Sequence, residues 1–75
     1  MNIGKLYTYN TSRRVHETVD FQRWFVEIRE NTPFIILGMT NLPEIFSGVV
    51  KGYKVLTSDG EIGWISGIEE SFKEI

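Results

Sequence analysis

The chain has 75 residues, 41% of them hydrophobic and 13% aromatic, with no cysteine and a formal net charge of −2. This length suits one domain, residues 1–75, with a compact core of aliphatic and aromatic side chains. The lack of cysteine excludes a disulfide framework, a thiol nucleophile and a cysteine-based zinc site. No apolar run approaches the roughly 20 residues that span a bilayer. The first ten residues also lack the apolar core of a signal peptide, so we expect a cytoplasmic protein.

Charge is distributed unevenly along the chain. Residues 1–29 have a balance of +2, whereas residues 30–75 have a balance of −4. A nucleic-acid module normally carries a concentrated basic patch, and here only Arg13-Arg14 is locally basic. The acidic second half would repel phosphate, so the charge argues against a nucleic-acid partner.

The start of the chain predicts one short strand and one long loop. Residues 5–9, KLYTY, have the composition of a strand. Residues 10–20 are polar and mixed, and we expect them to form an exposed loop. Tyr7 and Tyr9 lie two positions apart and therefore share one face of the strand. They either line a groove or form a half-buried face of a barrel with their hydroxyls in water.

Residues 18–30 admit two interpretations. Residues 24–28, WFVEI, combine high strand propensity with a two-residue alternation, which is typical of a strand. A helix is the alternative, since four apolar side chains also fit one helical face, with Thr18 or Asp20 as the N-cap. We favour the strand, with Trp24 packed in the core.

An apolar strand follows at residues 33–39, PFIILGM. Pro33 should mark its start, because proline cannot donate to the interior of a ladder. Residues 30–32, ENT, precede it as a turn. Residues 39–51 contain Asn, Pro and Gly, and we expect them to form a second long loop.

The clearest local signal is a β-hairpin. Asp59-Gly60 separates the strand-forming runs YKVLTS and EIGWIS, and this dipeptide is typical of a two-residue hairpin turn. Such a turn sets Leu56 opposite Gly63, where the missing side chain leaves a gap for a neighbour. One face of the hairpin then carries Val55, Thr57, Ile62 and Trp64.

The chain ends in a predicted strand at residues 71–75, SFKEI, which closes the structure, with one helical turn before it within residues 67–70. The elements together predict an all-β fold of about five short strands. At this size a small barrel is favoured, because closure removes exposed strand edges.

The run EIRENTPFIIL, a loop, and then YKVLTSDGEIGWI resembles the pattern of bacterial SH3-like domains. In that family an apolar strand precedes an aromatic-Lys-Val strand, a glycine-containing turn and a Gly-Trp-aliphatic strand. The resemblance covers roughly residues 24 to 66. The chain is also similar to small SH3-like proteins of tailed bacteriophages. This resemblance implies a small SH3-like barrel that acts as a protein-interaction or accessory module of phage or bacterial origin.

Four aromatic residues are the candidate ligand-binding set: Tyr7, Tyr9, Tyr53 and Trp64. Aromatic rings line grooves that accept extended or proline-rich peptides. Core packing is the alternative for each, and for Trp64 we favour it, with the ring packed across the hairpin onto Val55.

No catalytic constellation is evident in the sequence. His16, the only histidine, falls in a predicted polar loop with no partner at metal-type spacing, and we expect it to be exposed. No serine has the context of a nucleophile elbow. We therefore predict a non-enzymatic domain with a protein or peptide partner and with no cofactor, metal or membrane contact. An enzyme that depends on His16 is the least favoured hypothesis.

A nucleic-acid-binding barrel is the alternative function. Its basic side chains would be Lys5, Arg13, Arg14 and Arg23. Strand edges of a short barrel can also pair between two chains, so the sequence leaves the oligomeric state open.

Overall fold

Seven β-strands make up the computed structural model, which describes residues 2–18, 23–41 and 50–75. The strands are β1 (Leu6–Tyr9), β2 (Arg13–His16), β3 (Trp24–Ile28), β4 (Phe34–Asn41), β5 (Val50–Thr57), β6 (Ile62–Ile68) and β7 (Phe72–Glu74). A 3-10 turn at Glu69–Ser71 connects β6 to β7. The described ranges contain no α-helix, and the all-β class is confirmed.

The strands form one antiparallel sheet in the order β3-β2-β6-β5-β4-β1-β7. Among the described residues, the edge strands β3 and β7 do not pair with each other. The prediction of a closed barrel of about five strands was therefore wrong, since the part of the chain that the structure describes forms an open sheet of seven strands. The edge strands are short, with five residues in β3 and three in β7. Short edges expose few unpaired backbone groups, which lowers the cost of leaving the sheet open.

The strand β2 lies inside the segment that was predicted to be a loop. Its only aliphatic residue, Val15, is fully buried and lies opposite Val26 of β3. One apolar residue among four gives no periodicity to detect, so the hydrogen-bonding partners β3 and β6 define this strand rather than its own propensity. The rest of the predicted loop includes residues 19 and 20, which lie outside the described residues.

The other predicted elements upstream of the hairpin are confirmed in their type. β1 and β4 are strands, and Pro33 immediately precedes β4. The residues of β3 form a strand and not a helix. A turn precedes β4, with Asn31 at a φ of 60° and the Thr32 amide donating to the Arg29 carbonyl at 3.1 Å. The predicted loop from residue 39 is strand at 39–41 and 50–51, and residues 42–49 lie outside the described residues.

The hairpin of β5 and β6 forms, but its loop has three residues, 58–60, rather than two. The Thr57 amide donates to the Glu61 carbonyl at 2.8 Å, and the Gly60 amide donates to the Thr57 carbonyl at 3.0 Å. Gly60 has a φ of +86°, as expected for the left-handed residue of a three-residue hairpin loop. The predicted register was therefore wrong by one residue.

The observed register places Leu56 opposite Ile62, Val55 opposite Gly63 and Lys54 opposite Trp64. A slip of one residue moves side chains to the other face of a strand. The inner face of this hairpin, which faces the core, carries Tyr53, Val55, Thr57, Gly63 and Ile65. The outer face carries Lys54, Leu56, Ile62 and Trp64.

The core lies on the inner face and draws residues from six strands. Its buried members are Tyr7, Tyr9, Val15, Ile28, Phe34, Ile36, Tyr53, Val55 and Ile65. Ile28 of the edge strand β3 and Tyr7 of β1, the sixth strand in the sheet order, belong to this one cluster, so the sheet curls around its own side chains. Phe72 of β7 packs against one end of the core, with ring centroids 4.7 Å from Tyr9 and 4.6 Å from Tyr53.

Gly63 allows β2 to approach β6 closely. A Cβ atom at this position would lie 2.7 Å from the His16 carbonyl oxygen and 3.0 Å from Cε1 of Phe25, and would also collide with Val15. The prediction that Gly63 marks a close approach is therefore confirmed, although the residue opposite it is Val55 and not Leu56. Gly38 of β4 makes no such contact, because the nearest atom to its added Cβ is the Lys54 Cβ at 4.0 Å.

We expect Gly63→Ala to lower the free energy of unfolding by about 1–3 kcal/mol, since the added methyl must push backbone and buried side chains apart. Gly38→Ala is the matched control and should be neutral or slightly stabilising, because alanine costs less backbone entropy in a strand. Urea unfolding curves of both variants measure the difference. Equal effects of the two substitutions would contradict the proposed close packing of β2 on β6.

Candidate binding surface

The four predicted ligand-binding residues do not form one surface. Tyr7, Tyr9 and Tyr53 are 4%, 3% and 0% exposed and lie on the inner face. Their rings come together around Phe72 as part of the core. Trp64 lies on the outer face and is half-buried. The expectation that Trp64 packs in the core against Val55 was therefore wrong. The three-residue loop shifts the register of the hairpin by one residue, which places Trp64 on the outer face opposite Lys54.

The hydroxyls of two core tyrosines take part in hydrogen bonds at the ends of β1. The Tyr7 hydroxyl accepts from the Asn2 amide at 2.6 Å and donates to the Glu74 carboxylate at 3.2 Å. The Tyr9 hydroxyl accepts from Nη2 of Arg13 at 2.8 Å and from the Ile68 amide at 3.2 Å. These bonds join the first strand to the C-terminal part of the chain and to β2, which indicates a structural role for both side chains.

Arg13 and Arg14, two of the four basic side chains of the alternative nucleic-acid hypothesis, point to opposite faces of β2. Arg13 covers Tyr9 on the inner side, with its guanidinium carbon 4.4 Å from the ring centroid. Arg14 lies on the outer side over Trp24, at 4.8 Å from the ring centroid. Such cation–π contacts orient both partners. Only Arg14 therefore contributes its charge to the outer face.

The environment of Tyr9 alters its acidity. Burial raises the pKa of Tyr9, but the hydrogen bonds from Ile68, Arg13 and Ser71, together with the charge of Arg13, outweigh it and hold the pKa below the ordinary value of 10.0. Below this lowered pKa the phenol is neutral in both states and ionisation adds nothing to stability. As pH rises from the lowered pKa through 10.0, the folded state ionises first, so the contribution of Tyr9 to stability grows.

We expect Arg13→Gln to raise the pKa of Tyr9, because it removes a positive charge and a charge-assisted hydrogen bond from the phenolate. Arg14→Gln is the control, since it neutralises the neighbouring arginine on the other face and should leave the pKa of Tyr9 unchanged. The measurement is tyrosinate absorbance against pH, with the Tyr9→Phe variant subtracted to isolate this phenol. An equal shift in the two arginine variants would contradict the assignment.

The outer face carries both tryptophans and the only histidine of the chain in one transverse row. His16 of β2 lies opposite Trp24 of β3 on one side and opposite Trp64 of β6 on the other. Trp64 in turn lies opposite Lys54 of β5. Directly opposed residues in antiparallel strands share a face. We call this set, Trp24, His16, Trp64 and Lys54, the tryptophan row.

A β-bulge brings Trp24 into this row. The β2–β3 register passes from Val15–Val26 to His16–Trp24, so that Phe25 has no opposite residue. An extra residue in one strand reverses the alternation beyond it. Val26 therefore packs against the core, whereas Trp24 turns outward and is 49% exposed. The prediction of Trp24 as a core residue was wrong for this reason.

A second, aliphatic row crosses the same face. Leu6 lies opposite Ile35, Ile35 opposite Leu56, and Leu56 opposite Ile62, which spans β1, β4, β5 and β6. Leu6 and Ile62 at its ends are 44% and 54% exposed. Ile62 is two residues from Trp64 on β6, so the two rows adjoin. The sequence alone does not reveal this aliphatic row, because its members come from four separate strands and only the pairing registers bring them together.

His16 lies on β2 and is half-buried, and not in an exposed loop as predicted. Within residues 2–18, 23–41 and 50–75 no three His, Asp or Glu side chains come close enough to hold a metal ion. In the same part of the chain no helix is long and apolar enough to cross a membrane.

No family model, curated protein or solved structure matches the chain.

Proposed function

We propose that this domain is a non-enzymatic, SH3-like protein-interaction module that binds an extended peptide on the tryptophan row. One observation carries the proposal: the chain has only two tryptophans, and both lie on the outer face in direct register with His16. Tryptophan is costly to expose, and exposed aromatic rings are enriched at binding sites. A phage or bacterial origin and a cytoplasmic location belong to the same proposal.

The spacing of the two tryptophans suits a polyproline II segment. Trp24 and Trp64 lie on β3 and β6, with β2 between them. Two strand spacings amount to about 9.5 Å. Polyproline II rises about 3.1 Å per residue with three residues per turn, so side chains three positions apart are about 9.3 Å apart on one side. A segment that crosses the strands therefore places every third side chain on a tryptophan.

The surroundings of the two rings support such a site. The Arg14 guanidinium over Trp24 restricts the orientation of that ring, which reduces the entropy lost on binding. Lys54, opposite Trp64, is exposed and places a positive charge at the end of the row. The adjoining aliphatic row extends the apolar surface beyond Ile62.

We expect Trp64→Ala to weaken binding of a proline-rich peptide by about tenfold or more, as for other aromatic anchors at interfaces. Ile75→Ala, an exposed position at the far end of the sheet, should leave the affinity unchanged. The measurement is an amide NMR titration of the labelled protein with a ten-residue peptide whose prolines are three positions apart. A second peptide, with the prolines two positions apart, should bind more weakly because its spacing of about 6 Å does not match the rings.

Equal affinity for the two peptides would contradict the spacing argument. Shifts that avoid Trp24, His16 and Trp64 would contradict the site. Because Trp64 is half-buried and outside the core, its variant should remain folded, with a smaller loss of stability than the 3–5 kcal/mol typical of a buried tryptophan. The dispersion of the NMR spectrum reports this directly.

Single-stranded nucleic acid is the second candidate ligand, because exposed aromatic rings flanked by cations also stack bases. Arg14 and Lys54 flank the two rings, and Arg23 is exposed next to Trp24. If this ligand is the correct one, affinity for an oligothymidylate should fall steeply with added salt, as counterion release requires. Under the peptide proposal, salt should change the affinity for the uncharged proline-rich peptide by less than about twofold, because its binding releases few counterions.

A further inference from the structure

The sheet ends at β3, and the outer edge of this strand has no strand partner among the described residues. β3 pairs only with β2 in that part of the chain, on its other side. Alternate amides and carbonyls of a strand point to the same side, so the free edge of an edge strand presents a row of donors and acceptors. An added extended segment can satisfy these groups by continuing the sheet.

A pocket of about 270 Å³ lies beside the second half of this edge. It is lined by residues 26–29 of β3 and its end, by Thr32 and Pro33 of the following turn, and by residues 57–59 at the tip of the β5–β6 hairpin. The volume is below the range of about 300–1,000 Å³ that is usual for small-molecule sites. It suits a single long side chain that arrives with an extended backbone along β3.

The charge of the pocket favours a basic side chain. Two of its lining residues, Glu27 and Asp59, are acidic and one, Arg29, is basic. Thr32 and Ser58 belong to the same lining. Their hydroxyl groups are of a type that accepts hydrogen bonds from an ammonium or guanidinium group. A negative pocket beside a free strand edge therefore complements an extended segment with a lysine or arginine at the position that faces the pocket.

We propose that β3 is a strand-addition site for a basic extended segment of a partner protein, with one lysine or arginine side chain in the pocket between β3 and the hairpin tip. The site uses backbone hydrogen bonds along the edge of the sheet and carboxylates at its end. It differs from the tryptophan row, which lies on the face of the sheet and uses aromatic stacking. Either site can therefore exist without the other.

The test uses the full chain and a ten-residue peptide that alternates valine and lysine. We expect added peptide to slow hydrogen exchange of the outward-pointing amides in β3, with no change in β7, the opposite edge. Replacing lysine by glutamate in the peptide should abolish binding. Glu27→Gln and Asp59→Asn should each weaken binding about three- to fivefold, the size expected for one exposed charge pair. Glu70→Gln, an exposed carboxylate outside the pocket, should have no effect.

Two N-methylated peptides test the backbone hydrogen bonds. Methyl groups on alternate amides remove either the donors that face β3 or those that face away from it. The peptide methylated on the amides that face β3 should not bind. The peptide methylated on the amides that face away should bind like the parent peptide. The proposal is overturned if both methylated peptides bind like the parent, if the acidic peptide binds equally well, if protection develops at β7, or if no binding is seen at millimolar peptide. If Trp64→Ala abolishes both the binding of this peptide and its protection of the β3 amides, the peptide binds on the tryptophan row instead.

Discussion

The three-residue loop of the β5–β6 hairpin determines which side chains face the core. Thr57 closes this loop with three hydrogen bonds: its amide donates to the Glu61 carbonyl, its carbonyl accepts from Gly60, and its hydroxyl accepts from the Glu61 amide at 3.0 Å. The resulting register directs Tyr53, Val55 and Ile65 inward. β6 and β5 are the third and fourth of the seven strands in the sheet order, so the other ladders lie on either side of this pair.

The register also explains the glycines and the aromatic residues around the hairpin. Gly63 lies on the inner face under β2, and Gly67 lies under the rings of Tyr9 and Phe72, where an added Cβ would be 3.0 Å and 2.9 Å from ring carbons. Side chains at these two positions would hold β2 and β7 away from β6. With glycine there, the short strands β2 and β7 pack closely enough to complete the core, although each is too short to be stable alone.

The same register places apolar side chains on the outer face as well as on the inner face. The tryptophan row and the aliphatic row adjoin there, and the bulge at Phe25 adds Trp24 to the row. The edge of β3, which has no strand partner in the described ranges, suits a second kind of contact, made by the backbone. Both features suit the proposed binding role, since aromatic surface and strand edges recognise extended chains.

The sequence by itself determined the all-β class, the strands at β1, β3 and β4, the turn before Pro33 and the hairpin around Asp59-Gly60, because propensity and turn chemistry are local properties. It could not determine β2, whose pattern is too short and polar to be recognised without its neighbours. The loop length, the bulge at Phe25 and the open sheet also came only from the tertiary structure. Each depends on which backbone groups pair across the sheet, and a shift of one residue in that pairing moved Trp64 from the core to the surface.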